Sequence, residues 1–95
     1  MKVRELLELL EETIGHLRIA LVVNQQRIFE SPYTSYEFAQ RAVEIQEDLK
    51  DLEKLRAELE RLDPESDVEE HYPMEEVEKL LKTLELLRES ESHAY

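Results

Sequence analysis

The sequence holds few residue pairs that could form a catalytic or metal site. Glu12 and His16 lie one helical turn apart, so that a carboxylate and an imidazole could share a metal ion. Helical bundles that hold two iron ions use inward carboxylates with Glu-x-x-His on facing helices, and this sequence contains no Glu-x-x-His. Because Glu12 and His16 lie off the apolar positions of their helix, we interpret them as surface residues and expect no metal and no cofactor.

A second group of residues with possible chemistry is a set of four acids at turn spacing: Glu44, Glu47, Asp48 and Asp51. They resemble the magnesium-binding carboxylates of helical nucleotide pyrophosphohydrolases, which implies a nucleotide-hydrolysing site. That family needs a further acidic pair that points inward from another helix, whereas here Lys50 and Lys54 are interleaved with the acids. We therefore interpret the four acids as a solvated face.

Residues 88–95, RESESHAY, resemble the Arg-x4-6-His-x-Tyr signature of helical HEPN ribonucleases through Arg88, His93 and Tyr95. The resemblance implies that the Arg and the His act on an RNA phosphate across a dimer interface. It covers eight residues, and Glu89 stands where the family usually has Asn or Asp. A HEPN-like ribonuclease is kept as a remote alternative.

Composition indicates a long-helix protein. The 95 residues are 41% hydrophobic and 38% charged, with one Gly, three Pro and no Cys. A single Gly leaves no Gly-rich phosphate loop, and the lack of Cys excludes disulfides and thiolate metal sites. The longest apolar run, residues 19–23, is far too short for a membrane span. We expect a cytoplasmic, non-catalytic protein without membrane contact.

The net charge of −12 is unevenly distributed along the chain. Residues 1–43 carry six acids and five bases, residues 44–78 carry fifteen acids and four bases, and residues 79–95 carry three of each. Because a phosphate-binding surface needs clustered Lys and Arg, direct nucleic-acid binding is disfavoured. The acidic segment is either solvated surface or a face that engages a basic partner.

Apolar spacing predicts the first helix, over residues 2–30. Apolar positions alternate by four and three along it, and Asn24 interrupts them. Asn24 either reaches water near the helix end or is a buried amide that fixes register. Around residue 20 the helix is apolar on nearly every side, which predicts at least two further helices packed at this level. The predicted seam consists of Val3, Leu7, Leu10, Ile14, Leu17, Leu21, Asn24 and Ile28.

The remaining elements follow from breaks in the pattern. Pro32 predicts the end of the first helix, and Thr34 with Glu37 matches a capping box that starts a second helix over residues 35–62. Residues 63–72 form an acidic connector, residues 73–89 a third helix, and residues 90–95 a frayed tail. Apolar positions of the second helix are Phe38, Ala42, Ile45, Leu49, Leu52, Leu55, Leu59 and Leu62.

Helix lengths lead to the functional hypothesis. The first two helices would be about 40 Å long and the third about 25 Å, so a third helix that starts at the base leaves the hairpin tip uncovered. The sequence therefore predicts an all-α protein, a long antiparallel hairpin plus a shorter helix, that assembles into an oligomeric bundle, with a homodimer favoured. The alternative is an acidic inhibitor that occupies the basic nucleic-acid-binding groove of a protein partner. The predicted interface residues are Leu21, Val22, Ile28, Phe29, Tyr33, Tyr36 and Phe38.

Overall fold

The computed structural model describes residues 1–92, with side chains to Glu89, and is all-α over that range. Helix α1 spans Val3–Glu30 and helix α2 spans Ser35–Glu60. A short 3-10 helix, Val68–Glu70, precedes helix α3, Met74–Ser92. Of the predicted frayed tail, residues 90–92 belong instead to α3, and residues 93–95 lie outside the described residues. The three predicted helices are confirmed.

The hairpin turn forms where Pro32 interrupts helical geometry. Helix α1 ends at Glu30, and Ser31 adopts an extended backbone with φ −141°, as expected for a residue before proline. Helix α2 begins at Ser35, as predicted, but the Thr34 side chain makes no capping hydrogen bond. The capping-box interpretation is therefore wrong in its chemistry. The Ser35 hydroxyl donates instead to the Pro32 carbonyl at 3.3 Å.

One apolar core runs along the hairpin and is thickest at its base. On α1 the buried positions follow the predicted seam, except that Leu6 and Ala20 are buried where Leu7 and Leu21 were expected, and that Thr13 is buried outside the seam. Leu7 and Leu21 pack against the core while partly exposed, and Ile28 is half-buried. The buried apolar residues are Val3, Leu6, Leu10, Ile14, Leu17 and Ala20 of α1, Ala42, Ile45, Leu49, Leu52 and Leu59 of α2, and Val68, Val77 and Leu84.

Helix α3 lies alongside the lower half of α1. Near its start, Val77 and Leu80 share a cavity of about 210 Å³ with Leu6, Val68 and Leu55, among others. Towards its end, Arg88 Nη1 lies 3.6 Å from Glu12 Oε2. Leu55 lines the same cavity as Val77 and Leu80 of α3. The spacing from Leu52 to Leu55 is three residues where the alternation of four and three would give four, and this shift turns the lower part of α2 towards the cavity. Arg88 therefore lies at about the level of Glu12 on α1, and the last turn of α3, to Ser92, extends roughly 6 Å further towards the tip.

The acidic connector is an ordered clasp on the start of α1. Within the first turn, the Val3 and Arg4 N–H groups donate to the carbonyls of Ser66 and Pro64 at 2.9 and 3.0 Å, which satisfies donors that a helix start leaves open. Glu65 pairs with Lys2 at 2.9 Å and with Arg4 at 3.1 Å. The hydrogen bond from Lys2, with the nearby Arg4 charge, lowers the pKa of Glu65. The clasp fixes the base of the molecule.

Candidate protein–protein interface

Above the end of α3 the molecule is only two helices thick. Between Ala20 and Ile45, a range that the structure describes completely, the buried residues are Asn24 and Ala42. Neither contributes a large apolar side chain. The hairpin tip is therefore held by far less buried apolar surface than the base, where three helices meet.

Large apolar side chains are exposed around this thin tip. Phe29 is 90% exposed and Tyr33 is 95% exposed, values expected of charged surface residues rather than aromatics. Among the residues whose side chains are described, two further exposed large hydrophobics lie elsewhere, at Met74 and Leu86. The exposed set within the tip is Ile19, Val22, Phe29, Tyr33, Tyr36 and Val43.

The predicted interface residues divide into two groups in the structure. Exposed residues are Val22, Phe29, Tyr33 and Tyr36. Half-buried residues are Leu21, Ile28 and Phe38. The Arg27 guanidinium lies 5.6 Å from the centre of the Phe38 ring, so this aromatic face is already occupied within the chain. The exposed group is the part that is available to a partner.

Sequence reasoning missed Ile19 and Val43, which are both more than half exposed. A signal for Ile19 existed, because Ile19, Val22, Gln26 and Phe29 follow one another at spacings of three, four and three. This is a second heptad pattern, on the face of α1 opposite the buried seam. We name these four residues the outer stripe of α1.

The outer stripe lies in the least charged part of the chain. Residues 19–29 include one charged residue, Arg27, whose guanidinium lies over Phe38. Arg18, just below the stripe, donates from Nη2 to Glu53 Oε1 at 2.8 Å. Burial of an unpaired charge would oppose association. Because Arg18 is paired with Glu53, a partner that covers the stripe does not remove an unpaired Arg18 charge from water.

Of the two interpretations of Asn24, contact with water near the helix end or burial of the amide, the structure shows burial. It is 2% exposed, and its Nδ2–H group donates to the Ala20 carbonyl at 2.7 Å. This hydrogen bond within α1 gives the amide N–H a partner in place of water. Buried side-chain donors need such partners because an unsatisfied donor costs about 1–3 kcal/mol.

The four acids of α2 repel one another. The pKa of Asp48 is raised, first by burial and then by the charges of Asp51, Glu44 and Glu47, against an opposing effect of Arg41. An acid whose pKa is higher in the folded protein than in the unfolded chain destabilises the fold at pH values above both pKa values. That penalty disappears as Asp48 becomes protonated on acidification.

Asp48→Asn is therefore expected to stabilise the protein at about pH 7, by roughly 0.5 kcal/mol, because it removes like-charge pairs worth about 0.2–0.5 kcal/mol each. Well below about pH 3.9, the ordinary pKa of Asp, the gain should vanish, since the Asp48 carboxyl is then neutral in both the folded and the unfolded state of the parent protein. Urea unfolding of both proteins at the two pH values measures the difference. A gain of the same size at low pH would contradict this explanation.

The other residues with possible chemistry are dispersed or occupied. The Glu12 carboxylate pairs with Arg88, and His16 is half-buried rather than a surface residue as predicted. Among the described residues, no group of three or more His, Asp or Glu is arranged to hold a metal ion. Of the HEPN-like string, Arg88 lies beside Glu12, while His93 and Tyr95 lie outside the described residues.

None of the described helices combines the length and the apolar composition that crossing a bilayer requires. No protein-family model, characterised protein sequence or solved structure matches this chain. Function is therefore inferred from the surface of the molecule itself.

Proposed function

We propose that the protein is a non-catalytic helical assembly protein that self-associates, as a dimer, through the tip of its α1–α2 hairpin. The observation that carries this proposal is the exposed apolar surface above the end of α3, centred on Phe29. Ile19, Val22 and Phe29 share one face of α1, and an exposed apolar patch usually marks an interaction site.

Large apolar side chains supply the surface for a contact. Complete burial of one aromatic side chain removes about 150–250 Å² from water, and Phe29 is 90% exposed. Ile19 and Val22 add aliphatic surface on the same face of α1. This face alone is smaller than the roughly 800 Å² per partner of a standard interface, and Tyr36 lies on the outer face of α2.

Charge supports a second copy as the partner. Each chain carries −12, of which residues 44–78 contribute fifteen acids against four bases, so two copies repel wherever these segments face each other. The tip, where residues 19–29 carry Arg27 alone, is where two copies can approach without setting acids against acids. An association of this kind depends on apolar burial rather than on ion pairs.

Light scattering across a range of protein concentrations tests the proposal. We expect the mass of a dimer, about twice 11.3 kDa, and a dimer population that stays constant or rises with salt, because the Debye length falls to about 3 Å at 1 M and screens the acid–acid repulsion. A monomer at every concentration and salt would refute the proposal. A monomer that binds a basic protein only at low salt would instead favour the acidic inhibitor.

A further inference from the structure

We infer that two copies pair through the outer stripes of α1, antiparallel to each other, about a two-fold axis at the level of Asn24. This inference rests on the proposed self-association and adds the face, the direction and the register of the contact. The charges along α1 carry it.

The outer face of α1 changes character at Gly15. Continued towards the base at the same spacing, the outer stripe passes through Gly15 to Glu12, Glu8 and Glu5, and all three acids are exposed. The face is therefore apolar over its upper half and acidic over its lower half. A Cβ atom at Gly15 would meet no atom within 4 Å, so the space above the boundary is open.

This pattern decides the direction of pairing. Two parallel α1 helices would place Glu8 and Glu5 each opposite its own copy, together with Glu12, whose charge Arg88 offsets in part at 3.6 Å. Like charges directly opposite each other oppose association. Two antiparallel helices can overlap through their upper halves alone, because the acidic halves then extend in opposite directions. The antiparallel arrangement avoids all three acid pairs.

The same charges select a register. In a two-fold contact, residue i meets residue j and residue j meets residue i. With the axis midway between Val22 and Gln26, each Val22 meets the second copy's Gln26, and each Ile19 meets the second copy's Phe29. A shift of one heptad towards the base would set Phe29 against Glu12, and a shift towards the tip would leave Ile19 without a helix opposite it.

The outer face of α2 is the competing surface. It exposes Tyr36 and Val43, but the next positions at heptad spacing are Glu47 and Lys50, both exposed. Packing of the α1 stripe on this face would be head-to-tail and would build a ring or an open filament rather than a two-fold dimer. The longer uncharged stripe on α1 favours the closed pair.

Cysteine cross-linking tests direction and register, since the chain has no cysteine of its own. Val22→Cys and Gln26→Cys change exposed positions, so both variants should fold. The two variants, one of them carrying a mass tag, are mixed in equal amounts and oxidised. We expect the ratio of mixed to same-variant disulfides to exceed by several-fold the ratio of about one that random pairing gives. Val43→Cys mixed with Val22→Cys is the matched control and should cross-link poorly.

The outcomes separate this inference from the proposed function. A dimer by light scattering in which each variant forms disulfides mainly with its own kind would overturn the antiparallel arrangement and leave self-association intact. Efficient cross-linking of the Val43→Cys control together with large species would point to the ring or filament and overturn the closed pair. A monomer would overturn both. Small-angle scattering adds an independent measure, since the antiparallel pair should be roughly 75 Å long, against 50 Å for one chain.

Discussion

Phe29→Glu is expected to convert the proposed dimer into a monomer without unfolding the chain. Phe29 is 90% exposed in the single chain, so its replacement removes little intrachain packing. In the dimer, loss of Phe burial is worth about 1.5–3 kcal/mol per side chain and counts twice by symmetry. The dissociation constant should therefore rise by roughly 100- to 10,000-fold, at 1.4 kcal/mol per factor of ten. Light scattering measures the mass, and circular dichroism verifies the helix content.

Leu86→Glu is the matched control for this change. Leu86 is also an exposed large hydrophobic residue, at 64%, but it lies on α3 outside the tip. The control adds the same charge to each chain, so it tests whether net charge alone dissociates the dimer. If both variants became monomers, the effect would belong to charge, and if neither did, Phe29 would not lie in the contact.

Leu84→Ala is expected to destabilise the fold by about 2–5 kcal/mol, the range for a buried Leu truncated to Ala. Leu84 is 1% exposed and, among the α3 residues with described side chains, only Val77 is buried alongside it. The loss is a large fraction of the roughly 5–15 kcal/mol that stabilises a small domain. The midpoint of guanidinium unfolding, followed by circular dichroism, measures it.

The same helix provides the control for Leu84. Leu86→Ala, two residues further along, changes the same residue type at an exposed position, where surface substitutions usually stay within about 0.5 kcal/mol. A similar loss of stability in both variants would indicate that burial of Leu84 against α1 does not explain the effect, and helix propensity could not explain it either, because Ala has a higher helix propensity than Leu. An unchanged midpoint for Leu84→Ala would mean that α3 does not depend on this contact.

The number, type and order of the helices could be predicted from the sequence because these depend on local signals. Apolar spacing marks a helix face, and Pro32 stops a helix regardless of what surrounds it. The clasp could not be predicted, since residues 63–72 have no periodicity and their hydrogen bonds to Val3 and Arg4 form only once the hairpin is closed. Leu6 is buried in place of Leu7 because Leu6 lines the cavity that α3 covers with Val77 and Leu80. This burial could not be predicted without the position of α3.

The candidate interface could be predicted in part for the same reason. The helix lengths predicted an uncovered hairpin tip, and Phe29, Tyr33 and Tyr36 of that tip are exposed as an interface requires. The prediction also included Leu21, Ile28 and Phe38, which are half-buried. Residue type alone does not distinguish apolar residues that flank an intrachain seam from those on an outer face. Tracing a second heptad on α1 would have assigned Ile19 to the outer face. That this face is exposed could be known only from the position of α2.

The clasp also has a consequence for the order of folding. Its bonds join residues far apart in sequence, 63 positions in the case of Lys2 and Glu65, and closing a long loop carries an entropic cost that grows with its length. Leu17 and Ile45, both in the core, lie across a much shorter loop. If folding begins near this pair and the α1–α2 contacts then form successively towards the base, Glu60 comes to lie beside the start of α1. The clasp closes after this step. On this route the apolar tip is assembled early, while α3 is still unattached.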